Sequence, residues 1–358
     1  MEDSYRLGVD GFTLMLSAVR GAEDAAIVAR RIIDRILEPF TIKGYGSITN
    51  INMGVSIGIA LIPDDGKDKN TLLRNADTAM YNAKEQGNTY MFFTREMNNR
   101  ALERLMMEEG LRKSLGSGDF SLHYQPIVDS NGTIRALEAL IRWNHPERGF
   151  IPPDRFITIA EDTRLILPIG KWVMETACRS LKRLHLLGHR RLYMSINIST
   201  LQLEREDLSW NVKAILDKFK LNPKSLTLEL TETGLMTYPE TAITKMKLLL
   251  EENKGLRIAI DDFGTGYSSL SYLSKFPVKN LKIDKSFVSN MNDTSNIKII
   301  NSILSLGKNL GLNIIAEGVE EKSQLDYLIS KGCQFFQGYY FHKPLTFQDL
   351  TERLKEQR

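Results

Sequence analysis

The sequence is poor in cysteine, nearly balanced in charge and free of long apolar runs, and each absence excludes a class of protein. Cys178 and Cys333 are its two cysteines, and they lack CxxC spacing, so reduced structural thiols are expected. Lys and Arg total 47 against 44 Asp and Glu, which gives no general attraction to DNA. Neither a signal peptide nor a membrane-spanning run is present, so a cytoplasmic protein without a membrane segment is predicted.

Histidine is also scarce, which disfavours a zinc site. The five histidines show no HxxxH-type spacing. The most basic run, "RSLKRLHLLGHRR" at residues 179–191, has the spacing of the solvated face and C-terminal end of a helix. We therefore favour a helix surface over a phosphate-binding patch for this run.

Residues 1–94 alternate strand and helix patterns. "FTLMLSAV", "ITNINMGVSIGIALI" and "TYMFF" read as strands, the second as one or two. "AEDAAIVARRIIDRILEPF", which stops at Pro39, and "TLLRNADTAMYNAKEQG" have helical spacing. The charged segment 95–115 is predicted to be a linker helix. We therefore divide the chain into a first domain (1–94), this helix (95–115) and a second domain (116–358).

The second domain has the pattern of a (β/α)8 barrel. Its strand candidates are "SLHYQPIV", "TIRALEALIRW", "LYMSINIS", "LTLELTE", "IAIDDF", "LKID", "NIIAEGV" and "FFQGYYF". Helical segments separate them from the second strand onward, as in such barrels. The first two strands are joined only by "DSNG", which is too short for a parallel crossover, so the first strand should be antiparallel.

Polar residues recur where these strands end, at the edge on which barrel active sites form. They are Glu138, Asn197, Glu229, Glu232, Asp261, Asp262, Lys282, Asp284, Glu317, Glu320 and Gln337. Barrel interiors favour branched apolar residues, so this repeated occurrence of acids and amides is hard to explain by packing. Oxygen ligands of this kind suit Mg²⁺ or Mn²⁺, and so many carboxylates can hold two ions.

Three residues in this set, the adjacent aspartates and the lysine, have alternative interpretations. Asp261 and Asp262 end a strand before a glycine-rich turn, which fits either the centre of a two-metal site or a polar loop cap. Lys282 could orient water or steady phosphate charge, form a structural salt bridge with Asp284 or another acid, or act as a Schiff-base nucleophile. Carboxylate neighbours would keep Lys282 charged, which disfavours the Schiff-base chemistry.

The motifs "YQPIV", "EALIRW", "INIS", "LELTET", "IAIDDFGTGYSSLSYLSKFPVKNLKIDKSFV", "IIAEGVE" and "FFQGYYFHKPL" resemble the EAL-domain family of bacterial cyclic di-GMP phosphodiesterases, from about residue 111 to 354. The resemblance implies a modified (β/α)8 barrel with one reversed strand. It also implies hydrolysis of cyclic di-GMP to linear pGpG with Mg²⁺ or Mn²⁺. Members often pair through the barrel near the helix after "DDFGTGYSSL", so a homodimer is expected.

Carried over motif by motif, the resemblance assigns roles to individual residues. The first metal would be held by Glu138, Asn197, Glu229 and Asp261, and the second by Asp261, Asp262 and Glu317. Lys282 and Glu317 would handle the attacking water, and Gln337 would organise the site. Glu232 would anchor the "DDFGTG" loop, and Glu320 would support it. Arg142 would bind a substrate phosphate, with Gln125, Leu140 and Pro344 among the substrate contacts.

The first domain resembles the back half of a GGDEF diguanylate cyclase domain. The resemblance rests on "VSIGIALIPDDG", "LLRNADTAMYNAKEQGNTYMFF" and "SYRLGVDGF". The signature reads "GVDGF", with Val9 and Gly11 in place of a glycine and an acid, and the family's first strand and metal-binding aspartate are missing. No cyclase activity is therefore expected.

Three functions compete at this stage. The first is an active cyclic di-GMP phosphodiesterase, which the complete acidic set favours. The second is a non-catalytic receptor that captures cyclic di-GMP in the same pocket and relays its occupancy. The third is an aldolase-type barrel enzyme, which would require substrate trapping on Lys282.

Overall fold

A computed structural model describes residues 2–7, 11–17, 19, 21–44, 47–266 and 270–356. The chain divides into two compact units, Met1–Met107 and Glu108–Arg358. The division falls inside the long helix that follows the first domain. Among the described residues, no helix is both long and apolar enough to cross a membrane.

In its described residues, the first unit contains three small strand pairs and two helices, and the long helix follows. Its elements are β1 (Glu2–Leu7), β2 (Gly11–Leu16), α1 (Ala22–Leu37), β3 (Phe40–Gly44), β4 (Ser47–Ile51), β5 (Ile57–Ile59), α2 (Lys69–Gln86), β6 (Tyr90–Phe92) and α3 (Arg95–Ser117). The β1–β2 and β3–β4 pairs are antiparallel, and β5 and β6 pair in parallel. Gly8 to Asp10 of the predicted signature turn lie outside the described residues.

Helix α2 follows from its sequence pattern. Asn75, Ala79 and Ala83 recur every four residues and form its buried face. Asp68 caps the N-terminus, accepting a hydrogen bond from the Thr71 backbone N–H at 3.0 Å. Gly87 ends the helix with φ +72°, a conformation that glycine adopts without steric cost.

The second unit alternates strands and helices. Its elements are β7 (Phe120–Asp129), β8 (Ile134–His145), β9 (Gly149–Ile151), α4 (Pro153–Asp162), α5 (Ile166–Leu186), β10 (Tyr193–Asn197), α6 (Thr200–Glu204), α7 (Leu208–Phe219), a 3₁₀ helix (Pro223–Ser225), β11 (Leu226–Thr231), α8 (Glu232–Thr237), α9 (Pro239–Glu252), β12 (Arg257–Phe263), α10 (Leu270–Leu273), β13 (Asn280–Ile283), α11 (Lys285–Ser289), α12 (Thr294–Leu310), β14 (Asn313–Ala316), α13 (Lys322–Ser330), β15 (Phe335–Phe336) and α14 (Phe347–Glu356).

The eight predicted barrel strands are all present and close on themselves. The order is β7–β8–β10–β11–β12–β13–β14–β15, and β15 pairs back with β7. Strands β8 and β10–β15 are parallel, whereas β7 is antiparallel to both of its neighbours. The short "DSNG" connection therefore predicted the reversed first strand correctly. The barrel with an antiparallel first strand is confirmed.

The second strand has nearly the predicted span, Ile134–His145 against "TIRALEALIRW", but Glu138 lies elsewhere along it than predicted. Its pairing with β10 covers only Ala136–Ala139, and β8 then continues to His145 and pairs with the unpredicted β9. Glu138 therefore lies in the middle of its strand rather than at its end. Because side chains alternate along a strand, Leu140 and Arg142 lie on the same face as Glu138, progressively farther beyond the barrel.

Apolar side chains fill the barrel interior below the polar edge, and others pack the surrounding helices onto its outside. Ile127, Ala136 and Ile315 are buried in the interior, with Tyr193 and Phe335 packed against them. Around the outside, α5 buries a continuous stripe that includes Met174, Ala177, Leu181 and Leu184. The helical spacing of these residues explains why α5 lies on the barrel.

Gly338 supports the junction between β14 and β15, and its replacement tests that packing. A Cβ at this position would stand 2.1 Å from the Val319 carbonyl oxygen, and backbone atoms cannot swing aside as a flexible side chain can. We expect Gly338→Ala to lower the free energy of unfolding by about 1–3 kcal/mol, measured by urea denaturation. Gly116→Ala, in open space on α3, should leave stability unchanged or raise it. Equal effects of the two variants would contradict this packing.

Candidate active site

One buried lysine lies at the centre of the acidic residues. Lys282, on β13, is fully buried. Its Nζ lies 2.6 Å from Glu317, 2.8 Å from Glu229, 3.1 Å from Asp261 and 3.2 Å from Glu138. Four carboxylates thus meet one ammonium, and with all groups ionised the cluster carries a formal charge of 1 − 4 = −3.

The pKa values in this cluster reflect burial opposed by the lysine. Burial lowers the pKa of Lys282, but the surrounding carboxylates outweigh it and hold the pKa well above its ordinary value. Burial, together with Glu138 and Asp261, raises the pKa of Glu229 to about 8. A lysine held charged in this way is a poor Schiff-base nucleophile, which argues against the aldolase hypothesis.

Amide side chains fix Glu138. Its Oε1 accepts a hydrogen bond from Asn197 Nδ2 at 2.7 Å, and its Oε2 accepts one from Gln337 Nε2 at 2.6 Å. Burial would raise the pKa of Glu138, but Lys282 and these donors together hold it below its ordinary value. Gln337 also donates to Gln125 Oε1 at 3.1 Å, which extends the network to β7. Glu138 is therefore both ionised and fixed in orientation.

A bulge in β12 explains how two neighbouring aspartates reach one site. The register between β12 and β13 shifts between Ile260 and Phe263, and Asp262 has φ +52°, in the left-handed region. This break in the alternation lets Asp262 turn toward the same edge as Asp261. Burial, with Asp261 and Asp284 nearby, raises the pKa of Asp262 to about 6.

Glu232 supports the turn after the aspartates. Its Oε2 accepts a hydrogen bond from the Gly264 backbone N–H at 2.6 Å. Gly264 has φ +103°, and a Cβ on Gly266 would stand 2.9 Å from Glu232 Oε1. Glu232 therefore contacts the turn, and its role as the anchor of the "DDFGTG" loop stays a prediction. Tyr267 to Ser269 of this loop lie outside the described residues.

The predicted substrate residues lie on β7, on β8 and on the segment that follows β15, and Gln125 is the cross-strand neighbour of Glu138. Gln125 Nε2 donates to the His342 carbonyl at 3.3 Å, and Tyr124 and Leu345 exchange two backbone hydrogen bonds. These contacts bring half-buried Pro344 beside Gln125. Arg142 is half-buried, and burial lowers the pKa of its guanidinium. Its Cα lies about 13 Å along β8 from the Cα of Glu138, at about 3.3 Å per residue, and the two side chains share one face of the strand.

Two acidic residues lie apart from the cluster around Lys282. Glu320 is exposed, and its backbone N–H donates to Gln324 at 2.8 Å, so its supporting role stays a prediction. Asp284 caps α11 by accepting from the Ser286 N–H at 2.9 Å, and the structure pairs Lys282 with other acids. An aspartate directly before a helix is a capping signal, so this role of Asp284 is readable from the sequence, whereas its position beside Asp262 is not.

The donor atoms fit divalent cations. Oxygens of Glu138, Glu229 and Asp261 lie within 4.8 Å of one another, as do those of Asp261, Asp262 and Glu317. Asp261 belongs to both groups. Among the described residues, Glu229 Oε1 is buried without a hydrogen-bond partner, as a metal ligand would be in a structure that holds no metal. An all-oxygen set with excess negative charge suits Mg²⁺ or Mn²⁺.

Fold and site together define a modified eight-stranded barrel with an acidic centre at the carboxyl ends of its parallel strands. Residues 108–344 match the EAL domain family, and residues 3–89 match the diguanylate cyclase, GGDEF domain family. The chain belongs to the EAL domain family and carries a GGDEF-type region before the barrel. The recognition of both families from sequence motifs is confirmed.

Two curated relatives are similar along nearly the whole chain. The bifunctional diguanylate cyclase/cyclic di-GMP phosphodiesterase MucR of Pseudomonas aeruginosa is 40% identical over 96% of this chain and 50% of MucR. The cyclic di-GMP phosphodiesterase PdeR of Escherichia coli is 36% identical over 95% of this chain and 50% of PdeR. The chain thus spans about half the length of these relatives.

A solved structure supports the barrel. It is described as the PaMucR phosphodiesterase in complex with c-di-GMP. It is 38% identical and has a TM-score of 0.66, and the match covers 68% of this chain and 99% of that one. The barrel of a protein solved with c-di-GMP is therefore matched over almost its whole length.

Replacing Lys282 tests the charge balance of the cluster. We expect Lys282→Met to destabilise the metal-free protein by about 3–5 kcal/mol, because buried carboxylates would lose their only contacting cation among the described residues. Mg²⁺ or Mn²⁺ should raise the Tm of the parent and the variant. Thermal unfolding after removal of metal, with and without added ions, measures both effects.

The exposed Lys298 on α12 provides the control, and Lys298→Met should unfold like the parent. If neither Mg²⁺ nor Mn²⁺ changes the Tm of any of these proteins, the cluster does not bind these metals.

Proposed function

We propose that this chain hydrolyses cyclic di-GMP to linear pGpG with the help of two divalent cations. One observation carries the proposal: two groups of carboxylates share Asp261 around the buried Lys282 at the active end of an EAL barrel. The names of the similar proteins, which include cyclic di-GMP phosphodiesterases, support the substrate.

The metal ligands follow from the two groups. Glu138, Glu229 and Asp261, with Asn197 beside them, would hold the first Mg²⁺ or Mn²⁺. Asp261, Asp262 and Glu317 would hold the second. When bound, such a pair supplies an activated water and stabilises the leaving oxygen of an in-line displacement.

The remaining residues orient the reactants and move the proton. Lys282 steadies negative charge at the phosphate and the attacking water, and Glu317, at 2.6 Å from its Nζ, is placed to accept the proton of that water. Gln337 holds Glu138 in place. Arg142 binds the phosphate, while Gln125, Leu140 and Pro344 contact the nucleotide. Water adds to phosphorus, one P–O bond to a ribose breaks, and the freed oxygen takes a proton.

The GGDEF-type region is proposed to lack cyclase activity. Val9 and Gly11 stand in its signature turn where the family has a glycine and an acid. MucR, which is similar along nearly the whole chain, carries a bifunctional name, so cyclase activity is tested directly on the full chain. The test is an assay of GTP turnover by the full chain. Formation of cyclic di-GMP from GTP would refute the proposed lack of cyclase activity.

A homodimer through the barrel, near α10, also stays a proposal. It rests on the family resemblance alone. Light scattering over a range of concentrations measures the oligomeric state, and a monomer at every concentration would contradict the proposed homodimer.

Glu138 provides the decisive test of hydrolysis. We expect the parent to convert cyclic di-GMP to pGpG with Mg²⁺ or Mn²⁺, and Glu138→Gln to lose about 100- to 1,000-fold in kcat. Glutamine keeps the size of the side chain, but it removes the charge and replaces one of the two acceptor oxygens by a donor NH2 group. Product chromatography measures conversion, and calorimetry measures substrate binding.

The exposed Glu252 on α9 serves as the matched control, and Glu252→Gln should keep full activity. Tight binding of cyclic di-GMP by the parent without conversion would move the protein to the receptor class. Conversion by Glu138→Gln at the parental rate would show that chemistry occurs elsewhere.

A further inference from the structure

The barrel has a second concave surface at the end opposite the acidic cluster. A cavity of about 1190 Å³ opens where the parallel strands begin. Tyr193 begins β10, Arg257 begins β12 and Asn313 begins β14, and all three line it. Asn197, Asp261 and Glu317, which belong to the acidic site, each lie four residues after one of these three residues. At about 3.3 Å per residue, the two regions are about 13 Å apart.

The lining of this cavity is strongly basic. Its cationic side chains are Arg135, Arg190, Arg191, Lys224, Arg257 and Lys279, and His189 lies among them. No aspartate or glutamate is part of the lining in the described chain. A concave surface with charge of one sign concentrates the field and attracts ligands of the opposite sign.

Most of these cations lack a carboxylate that would neutralise them. Arg135 pairs with Asp129 at 2.7 Å, whereas Arg190, Arg191, Lys224 and Lys279 have no ion-pair partner among the described residues. These four come from two separate loops and the 3₁₀ helix, so no single helix surface accounts for them. Helix α5 ends at Leu186, and the last basic residues of the run 179–191 therefore lie beyond it, at this mouth. The helix-surface interpretation fails for them.

Arg257 and the apolar floor give the cavity a defined interior. The Arg257 guanidinium lies 4.7 Å from the ring centroid of Tyr193, which fixes its plane. A fixed guanidinium is suited to two-point contact with a phosphate. Tyr193 and Phe335 pack on the barrel core and leave part of their surface to the cavity. Cations beside an aromatic floor match a ligand with linked phosphates and a flat base.

We propose that this basal cavity binds a nucleoside polyphosphate, separately from the active site. The linked phosphates contact the lysines and arginines of the mouth, and the base or ribose lies against Tyr193 and Phe335. The acidic cluster offers the same ligand no comparable site, because the ammonium of Lys282 is already surrounded by four carboxyl groups. The two sites can therefore be distinguished by experiment.

The test uses the full chain, stripped of metal with a chelator that is then removed. ATP, inorganic triphosphate and adenosine are titrated separately by calorimetry. We expect ATP to bind with one-to-one stoichiometry, and adenosine not to bind. Stronger binding of ATP than of triphosphate supports contact of the base with the aromatic floor. Binding of triphosphate as tight as that of ATP, or no binding of ATP, overturns the assignment to a nucleotide.

Charge reversal locates the binding. Lys224→Glu/Lys279→Glu should weaken ATP binding by at least about tenfold, while cyclic di-GMP hydrolysis with Mg²⁺ stays at the parental level. Lys247→Glu/Lys298→Glu changes two equally exposed lysines outside the cavity, with the same change in net charge. This control should bind ATP within about twofold of the parent. Equal losses in both variants, or displacement of ATP by a tighter-binding RNA oligonucleotide, overturn the proposal.

Discussion

The contact of the buried Lys282 with four carboxylates is the interaction on which the barrel's active end depends. Burying so many charges is costly unless each finds a partner of opposite sign. Lys282 neutralises part of this negative charge, since its Nζ lies 2.6 to 3.2 Å from oxygens of the four carboxylates. The remaining negative charge, with the unpartnered Glu229 Oε1, suits divalent cations. Stability of this region and its chemistry are therefore expected to be linked through the same ions.

The two ends of the barrel carry side chains of opposite charge. Acids collect where the parallel strands end, and lysines and arginines collect where several of them begin. A strand start and a strand end are only a few residues apart in the sequence, yet they face opposite sides of the domain. The apolar layer around Ile127, Ala136 and Ile315 separates the two regions. One scaffold can thus present two independent surfaces to anions, one through metal ions and one directly.

Much of the fold was predictable because its signals are local. The alternation of apolar strands and amphipathic helices predicted the barrel, and the short "DSNG" link predicted the reversed strand. The position of Glu138 in the middle of β8 was missed, because the pairing with β10 ends at Ala139 while β8 continues and pairs with β9, a three-residue strand with a weak local signal. The basic run at 179–191 was interpreted as a helix surface although it contains a local helix-end signal: α5 ends at Leu186, and Gly188 follows with φ +102°.

The sequence by itself determined which residue types stand at the strand ends, since neighbouring strands deliver their ends to one edge. It also determined the family, through motifs that span the whole second domain. Only the tertiary structure decided which acids contact Lys282, that a bulge turns Asp262 toward Asp261, and that Glu320 stays exposed. Those outcomes depend on register and backbone dihedral angles, which arise from contacts between strands far apart in the chain.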